Sequence, residues 1–293
     1  MRLHALPGRA AQGKVLFMTR QWFTDSQRFS VRSSALGLAV LLALVGAPAR
    51  TSAEAPAAAV LAFNTYVGGV EARLSRQHVS QSGFIAPVSP QDQVRLRRGE
   101  LIVEKLTPST GDDLSGAMLH HWRGTAFVAG ANAADFERLM RNFNAYPQRF
   151  SPQVVSATVL AQQGDRFQTT MRVRQRHVIT VVMDTSYDVI FGRLDPRHGY
   201  SISRSIKISE IDSPGTRGER SLTSKEEHGF LWRLTTYWSY EERDGGVYMQ
   251  IESVSLTRSI PTGLGWAVGP FVESVPRESL EFTLRSVSNA LRR

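Results

Sequence analysis

The stretch "TTYWSYEERDGGVYMQIE", Thr235 to Glu252, leaves the backbone few choices. Two runs of alternating side chains flank Asp244–Gly245–Gly246, the residue types that tight hairpin turns demand. With a two-residue loop, Tyr240 lies opposite Met249 and Trp238 opposite Ile251, or one position along. Either register puts Trp238 and Tyr240 on a face shared with Val247, Met249 and Ile251. Reading the first strand back to Gly229 adds Phe230, Trp232 and Leu234 to that face. Arg233, Tyr237, Ser239 and Glu241 fall on the other. An antiparallel sheet with one strongly apolar face follows, and such a face needs a cover.

The end of the chain supplies one. In "PRESLEFTLRSVSNALRR", Leu280, Leu284, Val287 and Leu291 are spaced 4, 3 and 4 apart, one stripe of a helix with Pro276 in its first turn. Further strands precede the hairpin. "MLHHWRGTAFVAG" reads as one, followed by a helix in "NAADFERLMRNF" with Asn132 as N-cap, Asp135 in the capping-box position, and Phe136, Leu139, Met140 and Phe143 on one face. "VVSATVLAQQ", "RFQTTMRVR", "HVITVVMDTSYDVIFG" and "YSISRSIKISEI" read as strands in series. The last of these has Tyr200, Ile202, Ile206 and Ile208 on one side and serines with Lys207 on the other. An antiparallel sheet and a single final helix bury their apolar surfaces against each other, an α+β arrangement.

Upstream, Val60, Phe63, Val67, Val70 and Leu74 mark a helix that packs on its own domain. "SGFIAPVSPQDQ" reads as a loop broken by Pro87 and Pro90, and "ELIVEKL" as a short strand.

The formal charge of +9 points to nucleic acid or anionic membrane until its location is considered. Of 35 Lys/Arg and 26 Asp/Glu, seven and one lie in residues 1–53, which leaves 28 against 25, a net of +3. That leader has a basic stretch ending at Arg32, then "ALGLAVLLALVGA", then the small residues "TSA" at 51–53, with "APA" at 47–49 as the rival cleavage site. Thirteen residues fall short of the roughly 20 that span a bilayer and suit a signal peptide's apolar core. A start at Met18 gives an ordinary signal length. The expectation is a periplasmic or secreted protein, with an uncleaved membrane anchor as the alternative.

The chain has no cysteine, which excludes a disulfide scaffold, a thiolate nucleophile and cysteine-ligated metal. His120 and His121 are adjacent in a strand and point to opposite faces, so they do not share an ion. His177 and His228 begin strands and His198 sits in a turn. "GLGWAVG", Gly263 to Gly269, mimics a dinucleotide fingerprint but follows an antiparallel strand, out of the context that motif requires. No cofactor and no metal are expected. Arg172, Arg174 and Arg176 form a basic strand face, solvated or in peripheral contact with anionic lipid. No aromatics interleave with them, so nucleic acid is not an expected partner.

The order strand, helix, short helix, about six antiparallel strands, long helix resembles the START-like, helix-grip (SRPBCC) superfamily, which includes polyketide-cyclase-like and coenzyme-Q-binding proteins. The resemblance rests on "ADFERLMRNFNAYPQRFSPQVVSATVLAQQGDRF", "YWSYEERDGGVYMQIESVSLTRSIP" and the closing helix, and is strongest toward exported bacterial members of no assigned function. It implies a helix-grip fold, a curved antiparallel sheet around a long C-terminal helix, over residues 118–293. Residues 54–117 are then an N-terminal extension. It also implies a cavity for a lipid, quinone or similar apolar molecule.

The aromatic face admits a filled core or such a cavity. Buried Tyr and Trp carry polar tips that need partners, as a ligand site provides. On the cavity reading the ligand meets Trp232, Leu234, Trp238, Tyr240, Met249 and Ile251 from the hairpin and Leu284 from the helix. Arg258 is a polar anchor or a structural ion pair, and Trp266 and Phe271 form a lid. A cyclase- or hydrolase-like enzyme would need an inward acid or histidine, and Glu242 stands at its strand's end. An interaction module without a ligand is the third reading.

Overall fold

The computed structural model describes residues 54–106, 114, 116–176, 180–260 and 265–292, with the side chains of 265–273 left out. The leader expected over 1–53, His177, and the side chains of Trp266 and Phe271 lie outside the described residues.

One antiparallel sheet organises the chain. Its strands are β1 (Ile102–Lys105), β2 (Ala117–Ala129), β3 (Val154–Gln163), β4 (Arg166–Arg176), β5 (Thr180–Asp195), β6 (His198–Asp212), β7 (Arg220–Ser221), β8 (Arg233–Arg243) and β9 (Gly246–Arg258). The order across the sheet is β1-β2-β9-β8-β6-β5-β4-β3, with the short β7 paired to β6. The β8–β9 hairpin turns through Asp244 and Gly245, both at positive φ (58° and 75°). That geometry suits the right-handed twist of the flanking strands. Its register pairs Tyr240 with Met249 and Trp238 with Ile251, as a two-residue loop requires.

The helix-grip arrangement completes the architecture. The final helix, α5 (Gly265–Leu291), lies on one face of the sheet and buries Leu280, Leu284 and Val287. It approaches closely at Gly124, where a Cβ would come within 2.6 Å of Leu284 Cδ1. Helix α3 (Ala133–Arg141) and the short α4 (Tyr146–Arg149) share that core through Phe136, Leu139, Met140 and Tyr146. The Asn132 side chain accepts from Asp135 N at 2.8 Å, the predicted N-cap.

Three expectations need correction. The helix predicted to open at Pro276 begins at Gly265, so Pro276 sits inside α5 and removes one N–H from its ladder. Pro90 opens a helix instead of breaking one. Ser89 Oγ accepts from Asp92 N at 3.1 Å, and α2 runs Pro90–Arg97. The N-terminal extension packs on the sheet, as its apolar stripe implied. Helix α1 (Ala57–Gln77) covers the face opposite α5 with Ala59, Phe63, Val70 and Leu74, and β1 extends the sheet beside β2. Finally, the side of β8 read as polar is buried as well, because α1 lies over it: Tyr237 is 1% exposed and Ser239 3%.

Candidate functional site

A cavity of about 200 Å³ opens between α5 and its face of the sheet. Its floor is set by strand register. Ser203 of β6, Thr236 of β8 and Ser253 of β9 are successive cross-strand partners in one row, and Ser201, Trp238 and Ile251 form the next. Continuing across β5, these rows end on Val189 and Phe191, where the lining becomes apolar. Phe143, Tyr146 and Phe150 close the side near α4, and Leu280 with Thr283 forms the roof on α5.

Among the described residues lining the cavity, none is Asp, Glu, His, Lys or Arg. The two titratable groups are Tyr146 and Tyr187, and burial pushes both phenols upward, so they stay protonated. Tyr146 donates to Met140 O at 2.7 Å.

The predicted site residues disperse. Trp238 and Ile251 line the cavity. Leu234, Tyr240 and Met249 are in the same core as the cavity but outside its lining. Tyr240 packs 4.6 Å from the Phe136 ring and donates to Glu137 Oε2 at 2.7 Å. Leu284 is buried beside Gly124. Trp232 is a correction: regular β8 begins one residue later, and the ring joins Phe63 and Val254 in the cluster under α1. Arg258 is another. It stands at the far end of β9 and donates to His228 O at 3.4 Å, away from the cavity lining. Glu242 accepts from Ala133 N at 2.9 Å and so caps the start of α3.

The sequence reading missed the floor because it read β6 by its isoleucines. Ser201 and Ser203 face the cavity, while Ile202 packs toward α1 and Ile206 is 60% exposed. No local signal marks them: their place follows from the β6–β8 register, which sets Ser201 opposite Trp238.

Charged clusters lie around this core. Glu137 is buried. Desolvation alone would raise its pKa, but hydrogen bonds from Arg193, Tyr240 and Arg141 outweigh that and hold it at about 2. Under α1, Glu252 bonds Arg73 and lies 2.9 Å from His121 Nε2, whose Nδ1 is 2.9 Å from Tyr66 OH. His120 instead meets Thr257 Oγ1 at 3.1 Å, so the paired histidines do face opposite ways. His78 packs on Tyr200 at 4.4 Å and contacts Ser239 Oγ at 2.8 Å. Burial first, and Arg73 second, lowers its pKa to about 4. On the basic strand face, Arg172 is held by Asp184 and Glu219. No group of His, Asp and Glu with metal-holding geometry occurs among the described residues.

No protein-family model matches the chain, and no curated protein matches its sequence. Solved structures do. The STAR-related lipid transfer protein of Xanthomonas axonopodis is 18% identical, covering 65% of this chain and 99% of its own, with a TM-score of 0.40. The Zhui aromatase/cyclase of a Streptomyces species is 13% identical, covering 60% and 94%, with a TM-score of 0.41. A START superfamily protein of Mycobacterium smegmatis is 13% identical, covering 61% and 98%, with a TM-score of 0.37. At these values the fold assignment rests on this chain's own strand order and final helix.

Proposed function

We propose that this chain is an exported START-like protein that holds an apolar small molecule, a lipid, quinone or similar, between its sheet and α5. The observation behind this reading is the cavity of about 200 Å³, walled by aromatic and aliphatic side chains with a few hydroxyls. Ligand sites are typically lined this way, mostly apolar with a small number of placed polar groups. Burial of the ligand's apolar surface, at about 25 cal/mol per Å², is the driving force. Binding stands ahead of catalysis because the described lining brings neither carboxylate nor imidazole to a substrate, the carriers that proton transfer most often uses. Export belongs to the same proposal and is supported by the order of basic, apolar and small residues in the leader.

Native mass spectrometry of the protein purified from cells that export it tests both parts. The expected result is a mature mass beginning near Glu54, carrying a co-purified neutral adduct that is lost on activation. A chain that retains residues 1–53 overturns the export reading. Failure to acquire any adduct, even after incubation with excess naphthalene, overturns the binding reading.

A further inference from the structure

The cavity floor has a chemistry that packing alone does not call for. Ser201, Ser203, Thr236 and Ser253 all line it, and their hydroxyls have no hydrogen-bond partner among the described residues. In the same rows, one strand further on, β5 presents Val189 and Phe191, which is what a surface meant only for packing carries. A hydroxyl facing an apolar space is costly unless it is hydrogen-bonded. Beside the hydroxyls the lining offers rings, Tyr187 and Phe191 from β5 and Phe143 from the side near α4. No positive side chain is among the described lining, so a carboxylate or phosphate inside would be desolvated without a counter-charge. A cavity of about 150 Å³ is enough for benzene, and this one is somewhat larger.

We infer that the ligand is an uncharged molecule of one or two fused rings with hydroxyl or carbonyl oxygens along one edge. The rings lie against Phe191 and Trp238, and the oxygens meet the hydroxyls of Ser203, Thr236 and Ser253. This rests on the binding reading above and narrows it. It sets fatty-acid and phosphate-bearing ligands aside in favour of neutral phenols, alcohols and ketones.

Three probes of similar shape separate the possibilities: naphthalene, 2-naphthol and 2-naphthoate. Each is titrated into the purified protein at neutral pH and followed by tryptophan fluorescence. The expected order places 2-naphthol about fivefold to tenfold tighter than naphthalene, one net neutral hydrogen bond. 2-Naphthoate should bind about 100-fold more weakly than 2-naphthol, or not at all, because its charge is buried unpaired. The triple variant Ser203→Ala, Thr236→Val, Ser253→Ala should keep naphthalene binding and lose the preference for 2-naphthol. If the triple variant fails to fold, Ser203→Ala alone should reduce that preference. Equal affinities for naphthalene and 2-naphthol, tight binding of 2-naphthoate, or a preference that survives the substitutions would overturn the inference while leaving the binding reading in place. Binding of none of the three probes would overturn the binding reading itself.

Discussion

Tyr237 and Trp238 are neighbours in the chain and are both buried, yet they lie under different helices. The Tyr237 ring packs beneath α1, and its hydroxyl donates to Glu71 at 3.3 Å. Trp238 faces α5 and the cavity. A sheet covered on both sides places consecutive residues of one strand in two separate cores.

The two substitutions should therefore behave differently. Tyr237→Ala removes a fully packed ring and should cost about 3–5 kcal/mol in urea unfolding. Trp238→Ala should cost less, because part of its surface already faces open space, and should weaken naphthalene binding. An equal or larger loss for Trp238→Ala, with binding unchanged, would show Trp238 to be ordinary core.

Glu137 ties α3 to β5 and β8 through Arg193 and Tyr240. Its folded pKa of about 2 lies below the ordinary 4.5, so its contribution is fully present above pH 4.5 and is lost as the pH falls toward 2. Glu137→Gln should cost about 1.5–3 kcal/mol at neutral pH, the range for hydrogen bonds to a charged group. The gap between the two proteins should close between pH 4.5 and pH 2. A gap independent of pH would contradict this assignment.

His78 works with the opposite chemistry. Its folded pKa is about 4 against 6.5, so the unfolded chain takes up a proton there before the native state does. Stability should fall as the pH drops from 6.5 to 4, by something on the order of 2–3 kcal/mol from this group alone. Unfolding curves of His78→Gln across that window should be flatter than those of the parent. Parallel curves would sink the idea.

Arg73 and Glu252 fasten α1 to β9. Breaking a fully buried pair costs about 3–5 kcal/mol. Here His121 remains with Glu252 and the Arg73 side chain is 36% exposed, so Arg73→Ala should cost less, on the order of 2 kcal/mol. A double-mutant cycle with Glu252→Gln measures the coupling, and a value near zero would mean that the apolar face of α1 holds it without this pair.

Much of the fold was legible from local rules that agree with each other. The Asp-Gly turn, the alternation around Trp238 and Ile251, the Asn132 cap and the leucine stripe from Leu280 to Leu291 each specify one element. What escaped was set by partners far away in sequence. Tyr237 and Ser239 read as an outer face because nothing local announces that α1 will cover them. Trp232 follows strand parity on paper, but the strand starts at Arg233 and the ring turns to the other core. Ser201 and Ser203 look like a solvated face by composition. Only their register against Trp238 and Thr236 shows that they border a cavity. The site was therefore half readable: its aromatic wall follows from periodicity, and its hydroxyl floor depends on which strands pair.

The central claim is that the space beneath α5 receives a small neutral ring compound. Anomalous diffraction from crystals soaked with 6-bromo-2-naphthol tests it most directly. A bromine peak bounded by Phe191, Trp238 and Thr283, with the naphthol oxygen toward Ser203 and Thr236, is the predicted result. Bromine found only on the protein surface, with side chains filling the space between Trp238 and Phe191, would contradict it.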